Sequence, residues 1–210
     1  MINVDVFDRV RIQNGFLTIS KLVELCDKGN IIYDLFSVLI SENTKIGTGN
    51  IFYSNVIVSV SNGHTLKIGD KNVFYSNTVI EASAGDIFVG SENQFGEGGV
   101  TIKANRAGAS IEIGSYGRYL GGASIFGTCL LESGSQILGQ ITVDSCHLQN
   151  GGGWREPNPD NRGGLLKGYG IARNVTVEKG RVINGAGSFD ESMLELQSSY
   201  HPAAKSAVNK

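Results

Sequence analysis

Apolar side chains recur at intervals of six along most of the chain, with polar residues and glycine between them. Ile40, Ile46, Phe52 and Val58 share one phase, and Ile68, Phe74 and Ile80 the next. Ile113, Tyr119, Ile125, Leu131, Ile137 and Val143 then run without a break. After an interruption, Leu165, Ile171, Val177 and Ile183 resume the interval. An α-helix repeats near 3.6 and a strand at two, so neither explains the spacing. A six-residue step is a short strand with one inward aliphatic side chain, followed by a turn. Three such steps close a triangular coil of about 18 residues. One coil cannot bury its own apolar face, so its stability must come from stacked neighbours and from caps at both ends.

Four segments carry a longer frame, aliphatic-Gly-x-x-Asn-x-aromatic. They are Ile46-Gly47-x-x-Asn50-Ile51-Phe52, Ile68-Gly69-x-x-Asn72-Val73-Phe74, Val89-Gly90-x-x-Asn93-Gln94-Phe95 and the looser Ile113-Gly114-x-x-Gly117-Arg118-Tyr119. The first two continue identically as Phe-Tyr-Ser-Asn, and the frames start 22, 21 and 24 residues apart. Spacing near 22 alone also suits a right-handed β-helix. The inner step of six selects the triangular coil, with the extra residues at corners such as Ser61-Asn62-Gly63-His64 and Arg106-Ala107-Gly108-Ala109. The frame glycines and asparagines read as turn formers at positive φ. Over about residues 40–187 this pattern resembles the hexapeptide-repeat, left-handed parallel β-helix superfamily. The resemblance implies an all-β fold of about six or seven coils, stacked at the strand spacing of about 4.8 Å.

Outside the repeat lie an N-terminal cap over 1–39 and a C-terminal segment over 188–210. Within the cap, Ser20 to Cys26 followed by Gly29 predicts a short helix with an N-cap and a C-terminal glycine. Residues 189–200 predict an α-helix lying on the prism, with Asp190 as N-cap and Phe189, Met193, Leu194 and Leu196 available for packing. The tail from His201 reads as frayed. The interruption, 144–164, holds the sole tryptophan and two of the three prolines, and reads as an external loop on the helix 40–187. Loops on rigid scaffolds often carry recognition. Trp154, Arg155, Asp160 and Arg162 are the candidate contact surface, because Trp and Arg are favoured interface anchors. Alternatively, Trp154 folds back onto a prism face.

Composition narrows the class. Glycine is 29 of 210 residues, proline only 3, and charged residues 18%, which suits many tight turns in an ordered fold. A net charge of -2 with 40% hydrophobic residues excludes a charged disordered tail and gives no nucleic-acid footprint. No apolar run reaches the roughly 18 residues of a membrane span, and the N-terminus lacks a signal-peptide pattern, so the expected location is cytoplasmic. Cys26, Cys129 and Cys146 are odd in number and form no CxxC, so they read as small buried residues.

Relatives within the superfamily are acyltransferases, zinc carbonic anhydrases of the gamma class and non-catalytic assembly subunits, and fold alone does not choose among them. The carbonic anhydrases need three converging imidazoles. His64, His147 and His201 do not show that spacing, and no metal site is expected. The acyltransferase reading takes acetyl-CoA as cofactor and His147, before the glycine-rich loop, as the general base, with His64 as second choice. Against it, the chain lacks an Asn-His-x-x-Asp motif and has Ile183-Asn184-Gly185-Ala186 where many such enzymes carry Gly-Asn-Pro-Ala. The frames at 46–52 and 68–74, the segment 175–186 and the segment 194–201 are similar to the small pointed-end subunits of dynactin. That resemblance implies a scaffold without cofactor or catalysis, meeting a protein partner or further copies through its prism faces or by end-stacking.

Overall fold

The structure, a computed structural model, describes residues 4–201. Its body is a three-sided parallel β-helix. The first face stacks Ile31–Ile32, Ile51–Phe52, Val73–Phe74, Gln94–Gly96, Arg118–Leu120 and Gln136–Leu138. The second stacks Leu39–Ile40, Ile57–Val60, Val79–Ala82, Thr101–Ala104, Ser124–Phe126 and Ile141–Asp144. The nine-residue strand Leu165–Arg173 turns the corner between these faces and joins them into one 15-stranded sheet. The third face is a separate 7-stranded sheet running from Lys45–Ile46 to Thr176–Val177, one strand per coil. A last strand, Arg181–Phe189, lies parallel on Leu165–Arg173, and antiparallel Leu194–Leu196 covers its residues 181–183.

The core is a set of columns running up the prism. Phe52, Phe74, Phe95 and Tyr119 stack nearly flat with centroids 4.9, 5.2 and 5.2 Å apart. Each ring is fully buried, which stabilises by roughly 2–3 kcal/mol before any stacking contribution. Aliphatic columns fill the other two inner faces, as in Val58, Ile80, Ile102, Ile125 and Val143.

Beside the aromatic column runs a buried amide ladder. Asn50, Asn72 and Asn93 each donate from Nδ2 to the side-chain oxygen of the asparagine below, at 3.2, 3.0 and 3.0 Å, starting from Asn30. Each also donates to the frame glycine carbonyl above, Gly69, Gly90 or Gly114. The ladder ends where Asn93 Oδ1 accepts from the Gly117 N–H at 2.7 Å. In that fourth frame Tyr119 replaces phenylalanine, and its hydroxyl meets Ser135 Oγ at 2.9 Å. A Cβ on Gly117 would lie 2.5 Å from that hydroxyl. Glycine and tyrosine therefore replace asparagine and phenylalanine as a pair.

The frame residues thus serve a different purpose from the turn formation expected of them. Positive φ falls instead on the residue before the asparagine, Gly49, Lys71 and Glu92, and on Tyr116 before Gly117 in the fourth frame. The frame glycines are needed for close approach. A Cβ at Gly47, Gly69, Gly90 or Gly114 would sit 2.4–2.8 Å from the backbone of the next coil. In the seventh coil the inward residues are Leu166 and Ala172, paired with Ile137 and Val143, rather than Leu165 and Ile171. The corner from Ala172 to Val177 takes five residues, so counting back by six lands one residue off, and a one-residue slip reverses the face. Ile171 is accordingly 48% exposed.

Both α-helices are N-terminal. The expected one is α2, Ile19–Asp27, capped by Thr18, with Gly29 at φ 90 behind it. The preceding α1, Val4–Gln13, places Arg11 inside the cap. Arg11 donates to the carbonyls of Leu17, Leu35, Phe36 and Val38 at 2.8–3.1 Å, satisfying backbone around the first coil. The C-terminal segment is not an α-helix. Asp190 caps a 3-10 turn, Glu191–Met193, as an N-cap should, but the chain then extends as Leu194–Leu196 to pair with the last strand. An open strand edge supplies partners that a short isolated helix lacks. A second 3-10 turn, Gln197–Ser199, follows, and the tail beyond His201 lies outside the described residues.

Candidate functional site

The external loop is shorter than the sequence suggests. Cys146, His147 and Leu148 stay on the third face, with Leu148 fully buried, so the chain departs only at Gln149. Three glycine segments interlock at the loop's root. A Cβ on Gly134 would meet the carbonyls of Gly151 and Gly152 at 2.4 Å, and one on Gly163 would meet the Gly134 carbonyl carbon at 2.5 Å. The glycines therefore permit close backbone packing, and the loop is clamped down.

From this root the loop lies on the outer surface of the first face. Gln136, Leu165 and Val182 point outward yet are buried there. Pro159 is buried at the start of the 3-10 turn Pro159–Asn161. Asp160 accepts from the Ser198 N–H at 2.9 Å, and Arg162 Nε donates to the Glu156 carbonyl at 2.8 Å. Gln197 Nε2 donates to Gly163 O and Arg181 O, tying the C-terminal segment to the loop. Of the four candidate contact residues, Asp160 and Arg162 thus hold the loop in place. Trp154 and Arg155 stand partly exposed at its tip. The Trp154 ring packs back onto the first face against the Arg118 guanidinium at 4.7 Å, and Arg155 stacks on the ring at 4.7 Å.

The candidate bases are on other surfaces. His147 points from the third face, where its Nε2 and Glu132 Oε1 are 2.8 Å apart. The second Glu132 oxygen accepts from the Asn150 N–H at 2.9 Å. These bonds, the one to His147 foremost, hold the Glu132 carboxyl below its usual pKa. A shallow depression of about 330 Å³ adjoins His147, lined by Ser110, Glu112, Thr128 and Leu130. His64 sits in the corner between Ile57–Val60 and Leu66–Ile68, four coils from His147. Neither histidine shares a cavity with Trp154.

Cys129 and Cys146 are buried in adjacent coils, and burial pushes the Cys129 thiol up to about 11. Such thiols are inert packing groups. Among the described residues no three His, Cys, Asp or Glu side chains gather as a metal site. No described helix is long and apolar enough to cross a membrane.

Glu132, Arg118 and Tyr116 were not singled out from sequence. Arg118 had a signal: it occupies the frame position that is Ile51, Val73 and Gln94 in other coils, a charge on an otherwise uncharged outward row. Glu132 had none, because its partner is fixed only by coil register. The chain matches no family model and no curated protein.

Proposed function

We propose that this chain is a non-catalytic scaffold or protein-interaction subunit that joins a partner through the open end of its β-helix. The observation that carries this reading is the difference between the two ends. At the N-terminal end, the Arg11 guanidinium donates to the carbonyls of Leu35, Phe36 and Val38, and the Leu17 N–H donates to Ile40 O, so backbone groups of the first coil are engaged by the cap. At the other end, Phe189, Met193 and Leu194 pack against the core, but Leu194–Leu196 pairs with only residues 181–183 of the last strand. The outer edge of Asn184-Gly185-Ala186-Gly187-Ser188 has no backbone partner among the described residues. Exposed edges are normally blunted by lysine, proline or a bulge, and this one carries none. Around it stand four exposed apolar side chains, Tyr169, Ile171, Leu196 and Tyr200. A strand or coil added there would gain hydrogen bonds and cover apolar surface together.

This reading agrees with the resemblance to left-handed, hexapeptide-repeat assembly subunits such as those at the pointed end of dynactin. It needs no cofactor and suits a cytoplasmic protein. Its test is solution mass by light scattering with acetyl-CoA titrated into the same sample by calorimetry. Self-association or aggregation that Ala186→Lys abolishes, without response to acetyl-CoA, supports it.

The His147–Glu132 pair favours a second reading, a hexapeptide acyltransferase using acetyl-CoA. Glu132 would orient the ring while the opposite nitrogen takes a proton from an acceptor hydroxyl or amine. A discrete oligomer that turns over acetyl-CoA, and loses turnover in His147→Ala with the fold intact, would establish that reading instead.

A further inference from the structure

Between the loop tip and the first face lies a cleft of about 550 Å³, within the roughly 300–1,000 Å³ of small-molecule sites. Its floor is Val73 and Gln94, and its walls are Tyr116 and Trp154. Lys71 and Arg155 line it as cations, and Arg118 stands behind the Trp154 ring. Stacking on that ring fixes both guanidinium groups without using their N–H donors. Among the described residues Lys71, Arg118 and Arg155 form no ion pair, and their side chains make no hydrogen bond. Arg118 Nε is buried without a partner.

The cleft's carboxylates do not answer these cations. Glu156 Oε1 accepts from the Asn158 N–H at 3.2 Å within its own loop. Glu92 is exposed on a corner at φ 59. Arg162, the loop's other cation, is engaged by the Glu156 carbonyl. The cleft therefore combines unpaired cationic donors, Lys71 and Arg155, with a mixed lining in which Val73, Tyr116, Trp154 and Pro157 supply the apolar and aromatic part and Glu92 and Glu156 stand at its side.

We infer that it binds a small molecule bearing an oxyanion, carboxylate or phosphate, on an apolar or aromatic body. The oxyanion accepts from the Arg155 guanidinium, with Lys71 adding charge, while Arg118 behind the Trp154 ring holds that wall in place. The body lies against Val73, Tyr116 and the edge of Trp154. This assignment is separate from the docking of a partner at the open end and stands or falls without it.

Trp154 is the only tryptophan, so its fluorescence reports on the cleft alone. The full chain is titrated with phenyl phosphate, benzoate and benzyl alcohol, by fluorescence and by calorimetry. Saturable binding of at least one anion is expected with a Kd of about 1 mM or tighter. The stronger of the two identifies phosphate or carboxylate as the natural group. Benzyl alcohol binds at least about tenfold more weakly, and Arg155→Gln loses about 10- to 100-fold for the anion, the range for a charge-assisted hydrogen bond. Arg155 is exposed, so its substitution leaves the fold intact, which circular dichroism checks. No binding of either anion at that strength overturns the assignment, as does equal binding of the alcohol or of the Arg155→Gln variant.

Discussion

The replacement of asparagine and phenylalanine by Gly117 and Tyr119 makes a quantitative prediction. Asparagine at 117 would extend the amide ladder by one coil, but a Cβ there meets Tyr119 Oη at 2.5 Å and two ring carbons at 2.8 Å. Gly117→Asn alone is therefore an overpacking change, costing about 1–3 kcal/mol. Tyr119→Phe alone strands the fully buried Ser135 hydroxyl, costing about 1–2 kcal/mol. Were the sites independent, the double variant would lose about 2–5 kcal/mol by summing these. With the hydroxyl gone, the two ring carbons still have to shift, toward the placement of the phenylalanines that stand beside the ladder asparagines in the coils before it, and the new side chain then stacks on Asn93 as Asn93 stacks on Asn72. The double variant should thus lie within about 1 kcal/mol of the parent. Urea unfolding of the four proteins, with equal slopes, measures the cycle. A double variant no more stable than Gly117→Asn would refute the account of the ladder's end.

Arg11→Ala removes four hydrogen bonds to backbone carbonyls and should destabilise by about 2–4 kcal/mol, with faster amide exchange confined to the first coil. Ile171→Ala should change stability by no more than about 0.5 kcal/mol while Leu166→Ala costs about 2–5 kcal/mol, read from the same urea curves. Asp144 is 9% exposed and held below the usual carboxylate pKa, chiefly by its hydrogen bonds to Arg106 with Arg173 nearby. Its contribution is present above the unfolded pKa near 3.8 and is lost as pH falls through the lower folded value. Thermal melts from pH 5 downward should therefore fall more steeply for the parent than for Asp144→Asn.

The period of six was enough to place the coils, because each inward position is repeated by its neighbours above and below. The same rule misplaced Leu165 and Ile171, since the five-residue corner after Ala172 carries no mark in the sequence. Helix α2 was legible from its polar start and Gly29. Helix α1 was not: Arg11 reads as a surface charge until the carbonyls of Leu35 and Val38 surround it. The segment 189–200 has helical spacing, and only the open edge of residues 181–183 draws it into a strand. At the site, Trp154 and Arg155 stood out by residue type, whereas their relation to Arg118, 36 positions back from Trp154, depends on how the clamped loop lies.

The central claim is that the open end at residues 184–188 is a docking edge and that the chain does no acyl transfer. Light scattering on the parent and on Ala186→Lys, with acetyl-CoA titrated into both, tests it most directly. The account predicts concentration-dependent association of the parent, a monomer for Ala186→Lys, and no heat from acetyl-CoA. A discrete trimer, unchanged by Ala186→Lys and binding acetyl-CoA, would contradict it.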